Sequence, residues 1–220
     1  MKQIKRNNLL KSAISLSLLM AACGAQAMPG NEAKEYDVAT EDHFFAPAFS
    51  SDGDWNYVYV DSNAVYQCSS FDLQDGDELS IKAQFPRSRS LSWTFYGENG
   101  GDQMIDVDIQ PDAGSINPFI NGNFRLAQDR SYTMHIVNGE APENPAPNTL
   151  YNSPSSAHPF GNFLCSRIYV PDQGTEPFGD TELPTVSLTR DGEVLTGDAM
   201  ADAIDAKNKG FAVLPTSPQF

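Results

Sequence analysis

The stretch ELSIKAQFPRSRSLSWTFY, Glu78 to Tyr96, decides the fold class. Its first eight residues alternate without a fault. Leu79, Ile81, Ala83 and Phe85 fall on one face; Glu78, Ser80, Lys82 and Gln84 fall on the other. A period of two with one apolar face marks a half-buried antiparallel strand. Pro86 then removes a ladder donor and ends the run. After it Leu91, Trp93 and Phe95 restart the same alternation.

Working outward, the same pattern recurs. MIDVDI (Met104 to Ile109) predicts a strand with Ile105, Val107 and Ile109 inward and Asp106 and Asp108 outward. SYTMHIV (Ser131 to Val137) puts Tyr132, Met134 and Ile136 inward. NYVYV (Asn56 to Val60), AVYQC (Ala64 to Cys68) and FLCSRIYV (Phe163 to Val170) are apolar on both faces and read as central or covered strands. Asp75-Gly76, Asn99-Gly100, Asn121-Gly122, Asn138-Gly139 and Asp191-Gly192 supply residues that tolerate positive φ. Asp191-Gly192, between TVSLTR and EVL, is the strongest hairpin signal. Many short strands at this spacing predict an antiparallel β-sandwich of jelly-roll type. One helix is expected over Thr196 to Gly210, with Met200, Ala203 and Ile204 as a narrow apolar stripe. The proline-rich segment Ala141 to Pro159 reads as a loop or lid. So the chain divides into a signal at 1–27, a tether at 28–50, one sandwich domain with its helix at 51–210, and a tail at 211–220.

The beginning of the chain is an export signal. Lys2, Lys5, Arg6 and Lys11 precede the apolar run Ala13 to Ala22, which is too short for a mature membrane span. Two cleavage readings compete. Ala25-Gln26-Ala27 is a small-x-small site. Met20-Ala21-Ala22-Cys23 resembles a bacterial lipobox, with Met20 in place of the usual Leu and Cys23 as the lipidated terminus. Either way the product is exported: a periplasmic or outer-membrane lipoprotein, or a secreted protein. Removing the signal takes four basic residues from the 14, so the mature net charge is 10 − 29 = −19. Such a surface repels phosphate backbones and anionic headgroups, which argues against nucleic acid as a partner and against membrane contact other than through a lipid anchor. Beyond Cys23, Cys68 and Cys165 remain, and an even count in an oxidising compartment suggests one disulfide between them.

Several stretches together resemble a family of uncharacterised secreted bacterial proteins. They are DSNAVY (Asp61 to Tyr66), FPRSRSLSWTFY (Phe85 to Tyr96), DVDIQPDAGSINPF (Asp106 to Phe119), NTLY (Asn148 to Tyr151), RIYVPDQG (Arg167 to Gly174) and LPTVSLTRDGEVLTG (Leu183 to Gly197). Ser90 stands where the family's pattern has an aromatic, and the two cysteines look particular to this member. The resemblance implies a sandwich fold and export. It implies no reaction, so no catalytic residue carries over.

The polar and aromatic residues allow four chemistries. Arg87 and Arg89 are two apart, as are Asp106 and Asp108. They read as a cross-strand charge pair, as a clamp for a carboxylate or sugar that includes Tyr96, or as one arginine buried and hydrogen-bonding loop carbonyls. Arg89 is expected to be the structurally committed arginine and Arg87 the available one. Asp106 and Asp108 also fit the spacing of a glycosidase carboxylate pair, and with Asp102 and Asp112 a calcium site. Trp55, Tyr57, Tyr59, Trp93 and Tyr96 read as core or as a sugar-stacking platform. His43, His135 and His158 fit no zinc spacing, and no phosphate-binding glycine pattern, nucleophile motif or cofactor motif is present. The leading expectation is a cell-envelope binding module for a glycan or a small acidic ligand. A secreted polysaccharide-acting enzyme and a structural envelope component are the alternatives.

Overall fold

The structure, a computed structural model, describes residues 44–45, 49–50, 61, 63–96, 102–152 and 162–206. All of them lie in one compact unit, residues 35–220. Ten strands are described: β1 (Phe49–Ser50), β2 (Ala64–Phe71), β3 (Glu78–Gln84), β4 (Ser88–Tyr96), β5 (Asp102–Ile105), β6 (Ser131–Asn138), β7 (Thr149–Asn152), β8 (Asn162–Pro171), β9 (Thr185–Arg190) and β10 (Glu193–Thr196). A short helix, α1 (Gly197–Ala203), follows.

The strands form two open five-stranded sheets, in the orders β1-β2-β8-β4-β5 and β10-β9-β3-β6-β7. The architecture is the β-sandwich that the alternation implies. Leu79, Ile81 and Ala83 of β3, with Tyr132, Met134 and Ile136 of β6, meet Leu91, Trp93 and Phe95 of β4 and Leu164 and Ile168 of β8 in one core. A polar bond crosses that core: Trp93 Nε1 donates to Tyr132 Oη at 2.8 Å. Both residues are almost wholly buried, so the pair satisfies polar atoms that burial would otherwise penalise. Burial pushes the Tyr132 hydroxyl pKa far above the ordinary phenol value, although the Trp93 bond works the other way.

β2 and β8, read as covered strands, are interior members of their sheet. They pair over eight residues, with Cys68 directly opposite Cys165. The two cysteines form a disulfide with a Cα–Cα separation of 4.1 Å. It ties neighbouring strands of one sheet. The Asp191-Gly192 turn joins β9 to β10 with both residues at positive φ, 53° and 79°. Two-residue hairpin turns of this kind need a residue pair that tolerates the left-handed region.

Three expectations are corrected. MIDVDI is not a strand throughout: β5 ends at Ile105, and residues 106–108 form a turn. Met104 and Ile109 face the core, while Ile105 and Val107 are 41% and 48% exposed. The Asp106 carboxylate causes the break. Its Oδ2 accepts from Leu91 N at 2.9 Å while Asp106 N donates to Leu91 O at 2.9 Å, so the side chain takes the ladder position of Asp106's own carbonyl, which turns away to accept from Asn117 Nδ2. Second, the proline-rich segment holds a strand. β7 pairs parallel to β6, the one parallel contact among the described strands. Asn148, at φ 53°, turns the chain into it, and its side-chain amide bonds the carbonyls of Gln110 and Thr133. Third, the helix is shorter than its sequence signal. Met200 and Ile204 are fully buried, but the helix ends at Ala203, and residues 207–210 lie outside the described residues.

α1 is locked by an ion pair. Asp77, 1% exposed, receives Arg190 in bidentate fashion: Nε to Oδ1 at 2.8 Å and Nη2 to Oδ2 at 2.6 Å. Gln74 N donates to Asp77 Oδ2, and Arg190 Nη1 donates to the Ala203 carbonyl at the helix end. The pair therefore joins the β2–β3 turn, β9 and α1.

Candidate functional site

The arginines and aspartates singled out in the sequence do not assemble into a clamp. Asp106 is buried and spends its carboxylate on the Leu91 amide. Asp108 is exposed in the turn. Neither forms an ion pair with Arg87 or Arg89, and the two aspartates do not share a strand face, which removes the geometry of a catalytic carboxylate pair. Among the described residues no three His, Cys, Asp or Glu side chains gather as a metal site. Trp93 is core. The side chain of Tyr96 and residues Trp55, Tyr57, Tyr59, His43 and His158 lie outside what the structure describes. His135 Nδ1 lies 2.8 Å from Glu78 Oε1 on the outer side of the second sheet.

The roles of the two arginines are the reverse of expectation. Arg87 is engaged by the 172–182 loop: Nη1 donates to Asp180 Oδ2 at 3.2 Å, its amide donates to Gly179 O and its carbonyl accepts from Asp172 N, while Nε is buried without a hydrogen-bond partner. Arg89 is exposed and has no bonded partner among the described residues. The ladder pairs Ser88 with Pro171 and Ser90 with Tyr169 but skips Arg89 and Val170, whose φ is 51°. The alternation that would carry Arg89 inward fails at that point. Two further arginines complete a corner around the 172–182 loop. Arg125 Nη2 donates to Asp172 Oδ1 and to the Ser88 carbonyl. Arg130, 5% exposed, donates to the Asp180 carbonyl. Burial lowers the Arg130 pKa, as does the charge of Arg87, with Asp180 and Asp172 opposing. Gly179 at φ 65° fits this corner because a Cβ there would lie 2.7 Å from Arg87 N. The corner is a structural knot. Replacing Arg87 by Ala is expected to cost about 1 kcal/mol, the upper range for a partly exposed ion pair. Replacing Arg89 is expected to stay within about 0.5 kcal/mol, as at an ordinary surface position. Urea unfolding of the two variants checks this; a larger loss at Arg89 would restore the original assignment.

Behind that loop a cleft is lined by Gln67, Ser166, Trp93, Tyr132, Thr181 and Glu182, among others. Its volume of about 20 Å³ holds a water molecule and not a sugar ring.

A different constellation stands on the outer face of the first sheet. Because Val65 and Ile168 face inward, their neighbours Tyr66, Arg167 and Tyr169 face outward. Register places Tyr66 opposite Arg167, and Ser92 and Ser90 of β4 opposite Arg167 and Tyr169. The Arg167 guanidinium carbon lies 4.9 Å from the Tyr169 ring centre and 5.8 Å from that of Tyr66. Arg167 Nη2 pairs with Asp61, while Nε is buried without a hydrogen-bond partner. The Arg167 side chain keeps 36% of its surface exposed and that of Asp61 62%. The guanidinium thus contacts one ring across the ladder and one along its own strand, within cation–π range of both. The fork, a carboxylate, two aromatic rings and Ser90 and Ser92 then share one half-exposed corner of the sheet's outer side, next to the buried Ala64, Cys68 and Cys165. That set offers C–H stacking area together with donors and acceptors for hydroxyl or carboxylate groups.

Sequence reasoning looked for aromatics within single strands and missed this face, which exists only through the β2–β8 register. The signal was nonetheless available. Two cysteines bridged between antiparallel neighbours fix the register, and two residues from the bridge on each strand stand Tyr66 and Arg167.

Comparison with known proteins adds little. No family model matches the chain, and no curated protein matches it. Among solved structures, the VPA0106 protein from Vibrio parahaemolyticus is similar at 20% identity and a TM-score of 0.36, over 56% of this chain. The match spans only 30% of that protein's length, and a likeness at this score carries no argument about fold or activity.

Proposed function

We propose that the protein is an exported binding module for a glycan bearing acidic groups, or a small acidic ligand of the same chemistry, and that Arg167 with Tyr66 and Tyr169 forms its contact surface. The observation that carries this reading is the ring-flanked guanidinium on a sheet face. An oriented guanidinium binds carboxylates through two parallel hydrogen bonds, and flat rings stack on the C–H faces of sugars. Export is supported by the signal and by the disulfide, which belongs to oxidising compartments. Among the described residues no helix is long and apolar enough to cross a membrane. Within this reading the lipobox makes Cys23 an envelope anchor, periplasmic or outer-membrane; cleavage after Ala27 gives a secreted form instead. Intact mass of the exported protein separates a lipidated Cys23 from a chain beginning at Met28. The chain would then belong with the secreted bacterial family it resembles.

Titration calorimetry with hexuronate oligosaccharides, against neutral hexose oligosaccharides of the same length, tests the proposal. The uronates are expected to bind and the neutral sugars to bind more weakly. Arg167→Met keeps the aliphatic body but loses the fork, and is expected to weaken uronate binding by about tenfold or more, since charge-assisted bidentate bonds carry over 1.4 kcal/mol. Tyr169→Ala is expected to weaken both sugar classes. Absence of binding by the native protein, or unchanged affinity in Arg167→Met, would sink the reading.

A further inference from the structure

Two guanidinium–carboxylate pairs of this protein use the same edge of the arginine differently. Arg190 offers the edge formed by Nε and Nη2 to Asp77, and both nitrogens are filled, at 2.8 and 2.6 Å. Asp77 is 1% exposed, and that pair is part of the fold. Arg167 pairs with Asp61 through Nη2 alone. Its Nε is buried and has no hydrogen-bond partner. A buried N–H without an acceptor is unfavourable, and a carboxylate spanning both nitrogens would relieve it.

Asp61 holds the place such a carboxylate needs. Its side chain is 62% exposed, and Arg167 is its one bonded partner among the described residues. Its backbone, by contrast, is held. Asn63, at φ 66°, turns the chain into β2, and its carbonyl accepts from Val170 N at 2.7 Å. Ala64 then stands opposite Tyr169. The turn carrying Asp61 is therefore clipped to β8 beside Arg167, so the carboxylate stays within reach while rotation of one side chain releases it. A tethered group of this kind acts at a high effective concentration, yet an exposed single-point pair is weak.

We infer that Asp61 is a built-in competitor at the Arg167 site: its carboxylate occupies the guanidinium edge in the free protein and rotates away when an acidic ligand takes Nε and Nη2 together. The inference rests on the acidic-glycan reading above and adds a source of selectivity to it. A neutral sugar cannot replace the charge that Asp61 supplies. A uronate carboxylate replaces it and gains the second hydrogen bond.

The test compares the native protein with Asp61→Ala and with Glu193→Ala, which removes the same charge from an exposed position on β10 of the other sheet. Two readouts are taken. The first needs no glycan: phenylglyoxal modifies accessible arginines, and peptide mass spectrometry gives the rate at Arg167. Asp61→Ala is expected to raise that rate about twofold or more, and Glu193→Ala to leave it alone. The second is calorimetry with the hexuronate oligosaccharides. Asp61→Ala is expected to tighten binding about two- to fivefold, the factor by which an exposed ion pair depletes the competent state. Asp61→Asn, which keeps an acceptor and loses the charge, should fall between native and alanine. Each variant should melt with the native protein, because each changes an exposed side chain. Unchanged labelling of Arg167 overturns the inference whatever the ligand. Unchanged uronate affinity in Asp61→Ala overturns it and leaves the glycan reading standing; weaker affinity overturns it too, and makes Asp61 a direct contact to the ligand. Faster labelling with no uronate binding by any variant upholds Asp61 as the occupant of the edge and sinks the glycan reading alone.

Discussion

Asp77→Ala is expected to lower the unfolding free energy by about 3–5 kcal/mol, the range for removing one partner from a buried ion pair. The size follows from what is left behind. Asp77 is 1% exposed and accepts from both Arg190 and the Gln74 amide. Without the carboxylate, Arg190 loses its neutralising partner and the Gln74 amide its acceptor, while the helix end at Ala203 loses a rigid anchor. Asp77→Asn keeps the shape and one acceptor, so it is expected to cost less. The same pair sets an acid limit. Burial alone would raise the Asp77 pKa, but the Arg190 bonds and charge and the Gln74 amide outweigh it, leaving the value below the ordinary carboxylate range. Arg190 is shifted upward by its bond to Asp77, against burial, as a paired cation should be. A folded-state pKa below the unfolded one means the contribution is fully present above the unfolded value near 3.9. It is lost as pH falls through the folded value. Between neutrality and about pH 5 this group should therefore contribute no slope. Urea unfolding of the native protein and of Asp77→Ala should converge as the medium becomes strongly acidic. A constant gap down to that range would show that the charge of Asp77 is not what stabilises the fold, and a loss under about 1 kcal/mol at neutral pH would show that the pair is dispensable.

The fold was legible where burial alone dictates the pattern. β3 and β4 pack one face each against the core, so Leu79, Ile81, Leu91, Trp93 and Phe95 could be placed from period two. The Asp191-Gly192 turn was legible because few dipeptides tolerate its backbone. The pattern misled where a polar side chain replaced a ladder contact. Nothing in MIDVDI announces that Asp106 will bond the Leu91 backbone, and alternation by itself extends the strand past Ile105. Arg87 and Arg89 failed for another reason: Pro86 ahead of Arg87 reads as a strand end open to solvent, but the 172–182 loop returns there, and Asp172, Gly179 and Asp180 engage Arg87. The site was harder still. Asp61, Tyr66, Arg167 and Tyr169 are brought together by pairing across about a hundred residues of sequence, and no local pattern carries that information. Only the cysteines report on it.

Replacing Cys68 and Cys165 together by Ala is expected to lower stability by about 4–5 kcal/mol, the chain-entropy figure for a loop of this length. The bridged residues are 97 apart in sequence. In the folded state they are already opposed within an eight-residue antiparallel pairing, so β2 and β8 would stay adjacent without the bridge. The bridge therefore acts mainly by restricting the unfolded chain, where it removes the largest share of freedom when the loop is long. Alanine is the suitable replacement because Cys68 is wholly buried and Cys165 nearly so, and a serine hydroxyl there would add an unsatisfied polar group. Two readouts separate this account from a packing one. An unfolded-state effect leaves the near-ultraviolet spectrum of the folded protein unchanged and raises the denaturant m-value, because the unbridged chain exposes more surface. A packing effect alters the folded spectrum and leaves m alone. A loss of this size takes a large part of the 5–15 kcal/mol that typically holds a domain together. It also bears on where the protein works. Kept in a reducing compartment, the native chain should behave like the double alanine variant, with a lowered melting temperature and ready proteolysis. Export should restore both. Equal stability of oxidised and reduced protein would show that the bridge is incidental to the fold, and would remove the disulfide as support for an oxidising destination.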